Sequence, residues 1–393
     1  MPDVWDFVPH SNLRKAAFWG AHSMYKGSGQ YVRQKGVALI TALLIVALVS
    51  VTAVAMTSRQ QLDIRRTANI LQGDQAYVFA LGGEAFAKQV LKKDDAKVDH
   101  KEEDWATQLP PMPFQGGILQ FTLDDLNSRF NLNNLVKQGK RSDNDVARFA
   151  QLINVLKDKD EASDEFKQII SSELANAVVD WIDADNDAQP GGAEDNDYLE
   201  RERPYRAANQ LMVSPSELML VKGFTPGIYK AIQPYVIALP VRTKINVNTA
   251  TNEVLQAMFE VIACADPEKL IRSEGTKLED LLTASTEKQT YDKFTKVDEF
   301  LRADAFAGCV LIGVVKPNNQ KNNQNQQQNN NNTNNNQGLD KETDVFSVFS
   351  EYFLLEAYAE VGPDDHRSRA RLYSLLERKN GKITAVMRAQ GTY

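Results

Sequence analysis

The sequence is short of the residues on which most enzymes and metal centres depend. Only two cysteines and four histidines occur in 393 residues, and the histidines lie near neither cysteine in the chain. There is no Gly-x-Ser-x-Gly motif, no phosphate-binding glycine loop and no His-x-x-x-His pattern. General acid catalysis also needs a pocket that isolates one carboxyl group, and no pattern indicates one. We therefore expect a protein that is not an enzyme.

A basic face is lacking as well, since the net charge is −7. Nucleic-acid binding needs clustered Lys and Arg to meet phosphates. The stretch 244–251 resembles the opening of a helix-hairpin-helix DNA-binding module, but neither a glycine-rich hairpin nor a basic cluster follows it. We expect no nucleic-acid partner, and a membrane-anchored DNA-binding protein is an alternative that the charge disfavours.

What the sequence does contain is one long apolar run, residues 37–56, without a charged side chain. A helix of that length rises about 30 Å, enough to cross the core of a bilayer. Arg33 and Lys35 precede it, which favours a cytoplasmic N-terminal side. The run is longer than the apolar core of a secretory signal. We predict a single-pass anchor with the rest of the chain on the far side of the membrane.

The helical pattern continues without Pro or a turn cluster from Thr57 to about Lys93. Its apolar residues form a rough stripe: Leu62, Leu71, Val78, Leu81, Ala85 and Val90. A stripe at this spacing is typical of one buried helix face. We expect part of it to pack on a β-sheet, and contact with the helix of another subunit is the alternative.

Beyond this helix, strand-like alternation brackets a long helical region. Residues 117–123 alternate. Strand-like runs follow at Val345–Val348, Tyr352–Glu360, Arg369–Arg378 and Ile383–Arg388, and Asn380-Gly381 between the last two is a strong hairpin signal. We expect all of these segments to form one antiparallel sheet against the long helix. Amphipathic helical faces fill the chain between them. Residues 318–337 are almost pure Asn and Gln, cannot bury apolar surface, and are predicted to be a disordered loop.

Several motifs resemble one group of proteins. A basic stretch, Gly36 and an apolar run that merges into an amphipathic helix are the pattern of type IV pilin-like proteins. The more specific motifs are Arg59–Arg66, Asp74–Tyr77, Asp125–Leu135, Val179–Asp183, Ala207–Gln210 and Ile245–Thr249. From about Arg33 to the C-terminus the chain is similar to the minor pseudopilin K family of the type II secretion system.

This resemblance implies an α+β fold. A pilin-like long N-terminal helix would pack on a small antiparallel β-sheet, with a large inserted all-α domain of two SAM-like helical modules. The expected segments are a removed leader (1–36), the transmembrane part (37–56) and the periplasmic part (57–93) of the helix, a linker with the first strand (94–125), the first helical module with an Asp-rich loop (126–239), the second module (240–315), the Asn/Gln loop (316–339) and the remaining strands (340–393).

The resemblance also implies processing. A prepilin peptidase would cut after Gly36, and the new amine of Val37 would be methylated. Most pilin-like proteins carry Glu at the fifth mature position, whereas this chain has Thr41, as the K type does. A tip subunit has no subunit above it whose amine such a Glu would meet. The initial residues are unusual for a leader, and Met24 offers a second translation start.

An Asp-rich loop at residues 183–198 is the main candidate for a ligand site. Asp183, Asp185, Asp187 and Glu194 fall at positions 1, 3, 5 and 12 of an EF-hand count, but position 6 is Ala188 instead of Gly, so the loop is not an EF-hand. Because K-type pseudopilins bind calcium in this part of the chain, calcium is expected here, with a solvated acidic loop as the alternative. The candidate ligands are Asp183, Asp185, Asp187, Glu194, Asp195 and Asp197.

The two cysteines, Cys264 and Cys309, form an even pair beyond the membrane. In an oxidising compartment such a pair indicates one disulfide in the second helical module. From the residues alone, two buried thiols are equally consistent.

By resemblance, the protein is expected to be the subunit at the tip of the pseudopilus, which initiates or caps the filament that exports folded proteins. The expected partners are pseudopilins I and J, the major pseudopilin, the prepilin peptidase and, as a weaker extension, secreted substrates. The expected location is the inner membrane, with the bulk of the chain in the periplasm. A minor pilin of a type IV pilus is the alternative.

Overall fold

The structure is a computed structural model that describes residues 37–114, 116–159, 162–258, 261–264, 271–272, 293–301, 309–312, 345–362 and 367–391. The predicted leader and the Asn/Gln loop lie outside these residues. The chain forms two units, Met1–Arg66 and Thr67–Tyr393.

The described helices, in chain order, are α1 (Val37–Lys93), α2 (Asp143–Lys157), α3 (Asp164–Lys167), α4 (Ser171–Ile182), α5 (Asp195–Leu199), α6 (Pro226–Ile232), α7 (Asn252–Met258) and α8 (Val297–Leu301). The described strands are β1 (Met112–Phe114), β2 (Gly117–Asp125), β3 (Phe130–Asn131), β4 (Val136–Lys137), β5 (Lys140–Arg141), β6 (Val236–Ile237), β7 (Ile245–Asn246), β8 (Val261–Cys264), β9 (Ile271–Arg272), β10 (Cys309–Ile312), β11 (Phe346–Ser347), β12 (Tyr352–Val361), β13 (Ser368–Lys379) and β14 (Lys382–Gly391).

Helix α1 has 57 residues, and within the described chain it is the one helix whose length and composition suit a membrane span. The few hydroxyl groups of its apolar half bond to the helix itself. The Oγ1 atom of Thr41 donates to the carbonyl of Ala38 at 3.0 Å. Such bonds leave the hydroxyls satisfied in an apolar environment, so these residues do not argue against a membrane span.

A five-stranded antiparallel sheet follows in the order β1-β2-β12-β13-β14. Its two central neighbours, β2 and β12, are far apart in the chain, because the helical domain lies between them. The hairpin of β13 and β14 turns at Asn380 and Gly381, which have φ of 52° and 71°. This turn confirms the hairpin that the Asn-Gly pair predicts.

Helix α1 covers the inner face of this sheet with small side chains. Ala76, Ala80 and Ala87 are buried, together with Leu91. A Cβ atom added to Gly83 would lie 3.2 Å from a methyl group of Leu119, so the helix backbone comes close to the strands here. The face that packs on the sheet is therefore defined by alanines and a glycine more than by large apolar residues.

The inserted helical domain has a separate core in which α2 packs against α4 and α7. Its largest fully buried side chains include Phe130, Phe149, Phe166 and Tyr198. Short two-stranded pairings connect distant segments: β3 pairs with β6 and β11 with β7, both in parallel. Strand β11 therefore does not join the main sheet, where the sequence analysis expects the segment around Val345–Val348.

The second module is not purely helical in the described part. Strands β10, β8 and β9 form a small antiparallel sheet in that order, which the sequence analysis did not predict. Each of these strands has two to four residues, too short for an alternating pattern to stand out.

Candidate functional site

The Asp-rich loop connects α4 to α5, and buried hydrogen bonds determine its path. The carboxylate of Asp180, on α4, accepts from the backbone N–H of Gln189 at 3.1 Å and of Ala193 at 2.8 Å. A Cβ atom at Gly192 would lie 1.9 Å from an Asp180 oxygen, so only glycine fits there. Asn176 donates to the carbonyl of Pro190 at 2.8 Å. These contacts fold the loop back over the end of α4.

This path brings three of the six predicted ligands together. Asp183, Asp185 and Glu194 each have an oxygen within 4.8 Å of those of the other two. Asp183 and Glu194 are buried, with 3% and 5% of their surface exposed, whereas Asp185 is exposed. We call these three residues the acidic cluster.

The acidic cluster has unbalanced charge. The Oδ1 atom of Asp183 and both carboxylate oxygens of Glu194 are buried and have no hydrogen-bond partner among the described residues. Burial, followed by repulsion from the neighbouring carboxylates, raises the pKa of Asp183 and of Glu194 to about 7. Converging oxygens without donors are what a hard cation such as calcium binds.

The other three predicted ligands lie outside the cluster. Asp195 pairs with Arg206 at 2.6 Å and accepts from a backbone N–H. Asp197 pairs with Lys222 at 2.9 Å, which lowers the pKa of that carboxyl. Asp187 is exposed, and its backbone N–H donates to Asp185 at 3.0 Å. Two of the three therefore already have a cationic partner from the chain.

A second group of three acidic residues differs from the acidic cluster because an arginine of the chain pairs with it. Asp94, Asp99 and Glu103 also have oxygens within 4.8 Å of one another. There, however, the guanidinium of Arg378 contacts Asp94 at 3.0 Å and bonds to Asp99 as well. Within the described chain, an arginine thus pairs with two members of this group, whereas no ion pair reaches the carboxylates of the acidic cluster.

A second structural feature is a row of asparagine side chains that joins residues 127–134 to residues 239–244. The side-chain amide of each asparagine donates a hydrogen bond to a backbone carbonyl more than one hundred residues later in the chain. Asn131 donates to Val241 at 2.8 Å, Asn133 to Leu239 at 2.9 Å, Asn134 to Thr243 at 2.9 Å and Asn127 to Lys244 at 3.0 Å. We call these four residues the asparagine ladder.

The ladder begins where the chain leaves the sheet. The Oδ1 atom of Asn127 accepts from the backbone N–H groups of Glu351 and Tyr352, both at 3.1 Å, where the chain returns to the sheet. Beside it, the fully buried carboxyl of Asp125 accepts from Ser350 at 2.6 Å and from Thr249. Burial raises the pKa of Asp125 to about 6. The motifs Asp125–Leu135 and Ile245–Thr249 therefore build this junction.

For the predicted disulfide, the structure describes only the backbone positions of the two cysteines. Cys264 lies directly opposite Cys309 in the antiparallel pairing of β8 and β10. Directly opposed residues of such a pair have Cα atoms about 4.5–5.5 Å apart. A disulfide can span this separation. Their side chains lie outside what the structure describes. The disulfide stays a prediction, which thiol titration with and without reductant checks.

The processing residues are also only partly described. Val37 is the first residue of α1, and Gly36 lies outside the described residues. The cleavage and methylation therefore stay predictions.

Comparisons with known proteins agree with one another. A family model described as "Type II secretion system (T2SS), protein K" matches residues 128–241. The type II secretion system protein K of Pseudomonas aeruginosa is 42% identical over 238 residues, which are 58% of this chain and 69% of the relative. The protein of the same name from Aeromonas hydrophila is 34% identical over 263 residues, 62% of this chain and 77% of the relative.

A solved structure shares the fold. It is the GspK-GspI-GspJ complex of the enterotoxigenic Escherichia coli type 2 secretion system, and one of its chains matches with a TM-score of 0.59 and 23% identity. The match covers 84% of this chain and all of that chain. The predicted α+β fold, with its long helix, small antiparallel sheet and helical domain, is thereby confirmed. On the strength of the Pseudomonas relative, this chain belongs to the type II secretion system protein K family.

Proposed function

We propose that this protein forms the tip of the type II secretion pseudopilus by binding pseudopilins I and J through helix α1. The printed name of the solved relative supports these partners, because that protein was crystallised with both of them. Membership of the protein K family favours this function over that of a type IV pilus subunit or a DNA-binding protein. The observation in this chain that carries the proposal is an exposed stripe on α1.

The stripe lies on the side of α1 that faces away from the sheet. Its members alternate at spacings of three and four residues, and all are exposed: Ala68, Leu71, Gln75, Val78, Gly82 and Ala85. Such spacing is typical of a seam between two helices. Leu71 and Val78 are each 62% exposed, and an added Cβ at Gly82 would have no neighbour within 4 Å. Small residues let another helix approach closely.

The test is co-purification of the full-length protein with pseudopilins I and J from detergent-solubilised membranes. Leu71→Asp adds a charge to the stripe and is expected to remove the partners. Asn69→Asp adds the same charge two residues away, at an exposed position off the stripe, and is expected to retain them. Equal recovery of the partners with both variants would contradict the proposed surface.

The maturation pathway is part of the same proposal. The prepilin peptidase would cut between Gly36 and Val37. The apolar half of α1 would then remain in the inner membrane, and the rest of the chain would lie in the periplasm. There the protein would bind the major pseudopilin, as part of the filament, and contact secreted substrates. Intact mass of the membrane-purified protein tests this. We expect a methylated chain that begins at Val37, and only when the peptidase is active. An uncut chain in the presence of the active peptidase would rule out this maturation pathway.

Calcium at the acidic cluster is the third part of the proposal. Asp183, Asp185 and Glu194 would hold the ion, which would supply the positive charge that the buried oxygens lack. Binding to the folded state alone stabilises it by mass action. A rise in the thermal midpoint of chelator-treated protein on adding calcium is expected. An unchanged midpoint, together with no binding in calorimetry, would leave the solvated loop as the correct interpretation.

A further inference from the structure

The motif Ala207–Gln210 has no part in the function described so far, although it runs alongside the acidic loop. The backbone N–H of Ala207 donates to Asp195 at 3.1 Å, and that of Asn209 donates to the carbonyl of Trp181 at 3.0 Å. Trp181 lies two residues before Asp183. Three residues after Asn209, Met212 bonds to Asn133 of the asparagine ladder. The motif thus connects the loop to the ladder.

The side chain of Asn209 contacts the Asp-rich loop next to a residue of the acidic cluster. Its Nδ2 atom donates to the side-chain oxygen of Asn186 at 3.2 Å, and Asn186 directly follows Asp185. The bonds to Trp181 and Asn186 therefore hold Asn209 next to the stretch that contains two cluster residues. Its Oδ1 atom is buried and has no partner among the described residues. A buried amide oxygen without a donor is costly, unless something else binds it.

The backbone conformation at Asn209 restricts which residues fit there. Its φ is 47°, in the left-handed region that glycine occupies most readily and asparagine tolerates. Asparagine at this position supplies a neutral oxygen, a ligand type that calcium accepts alongside carboxylates.

We propose that the Oδ1 atom of Asn209 is a ligand of the same divalent cation as Asp183, Asp185 and Glu194. This inference rests on the proposed calcium site and extends it to a segment outside the Asp-rich loop. An ion bound in this way would tie the loop to the segment 207–212, and through Met212 to the asparagine ladder. Loading the site would then order the side of the helical domain that connects to the sheet.

The experiment is calcium titration of the chelator-treated, full-length protein in detergent, by calorimetry and by terbium luminescence sensitised through the nearby Trp181. Asn209→Gly removes the ligand oxygen but suits the positive φ, and it is expected to weaken binding about tenfold or more, by comparison with the loss that supporting residues of metal sites produce. Asn209→Asp keeps an oxygen in place and is expected to retain binding.

One control variant separates ligation from a general effect of removing an asparagine. Asn252, at the start of α7, also has a buried Oδ1 without a partner in the described chain. Asn252→Ala is expected to bind calcium as the unchanged protein does.

The outcomes distinguish the two proposals. Unchanged affinity of the folded Asn209→Gly variant would overturn the role of Asn209 while leaving the site itself intact. Loss of binding by Asn209→Asp as severe as that by Asn209→Gly would also overturn it. If the unchanged protein binds neither calcium nor terbium, the calcium site falls, and the Asn209 ligand falls with it.

Discussion

The carboxylate of Glu84, on helix α1, forms two hydrogen bonds with the guanidinium of Arg388, on the last strand of the sheet, at 2.7 and 2.9 Å. Ser374 donates to the same carboxylate at 2.7 Å and Lys88 at 2.6 Å. The Arg388 bonds are the main reason why the pKa of Glu84 falls from 4.5 to about 2. One buried charge thus joins the helix to the far edge of the sheet.

Glu84→Gln is expected to reduce the free energy of unfolding by about 2 kcal/mol, since it removes charge-assisted bonds at a buried position. The stabilisation is present above pH 4.5, the ordinary value, and is lost as pH falls toward about 2, because the unfolded chain binds a proton there before the folded one does. Urea unfolding in detergent at neutral pH measures the difference. The exposed Glu102→Gln is the control, and an equal effect of both variants would refute the role of Glu84.

The asparagine ladder predicts a larger effect at Asn133. Its side chain donates to the carbonyls of Met212 and Leu239 and accepts from the N–H of Met212, all at 2.9 Å. Asn133→Ala leaves those buried groups without partners and is expected to cost about 3 kcal/mol or more. Asn144, exposed on α2, is the matched control, since Asn144→Ala is expected to change stability by less than about 0.5 kcal/mol. Similar unfolding midpoints for the two variants would contradict the ladder.

The path of the acidic loop depends on Gly192. An alanine there would place Cβ 1.9 Å from Asp180, so Gly192→Ala is expected to displace the loop, to cost about 2 kcal/mol or more and to abolish calcium binding. Gly227→Ala, in α6, meets only Thr225 at 3.8 Å and is expected to leave both properties nearly unchanged. Calorimetric titration and thermal unfolding of both variants decide the matter. Normal calcium binding by the folded Gly192→Ala variant would show that the loop geometry is wrong.

The acidic cluster predicts a pH dependence whose direction depends on the ion. The pKa of Asp183 and of Glu194 is raised to about 7 without an ion, so the folded chain binds more protons than the unfolded one between about pH 4 and about pH 7. Chelator-treated protein is therefore expected to lose stability as pH rises through this range. With saturating calcium the loss is expected to disappear, and calcium affinity is expected to rise with pH, because the ligands must be deprotonated. Thermal unfolding across this pH range, with and without calcium, tests both, and parallel curves would contradict them.

Much of the fold was predictable because it rests on local patterns. An uncharged run of twenty residues predicts the apolar part of α1, alternation at residues 117–123 predicts β2, and two later strand-like runs predict β12 and β13. The type of turn follows from Asn380 and Gly381, because those residues adopt positive φ readily. Each of these signals lies within the segment that it describes.

The face by which α1 packs on the sheet was harder to predict. The sequence analysis expects part of the apolar stripe to contact the sheet, and the structure confirms this for Leu81 and Val90, which pack against the core. Leu71 and Val78 are exposed, while Ala76 and Ala80 are buried in their place. Periodicity identifies a face suited to burial, but it does not say whether a sheet or another helix covers that face.

Long-range partners explain the rest of what the sequence did not show. The asparagines of the ladder are recognisable as a motif, but their partners lie more than a hundred residues away and are backbone groups, which leave no trace in side-chain identity. The contact between the side chains of Asn209 and Asn186 spans only 23 residues, but no pattern in the sequence pairs these two asparagines. In the Asp-rich loop, the sequence locates the carboxylates but not the Arg206 and Lys222 that neutralise Asp195 and Asp197.

The bonds of Asn127 have a consequence for how this architecture changes over time. One side chain joins the point where the chain leaves β2 to the point where it enters β12, so these strands keep their register as if a short turn connected them. More than half of the chain is inserted at that single point. Exchange or enlargement of the inserted domain away from this junction therefore leaves the pairing of the sheet strands intact, and the helix with its sheet can diversify separately from the outer part of the inserted domain.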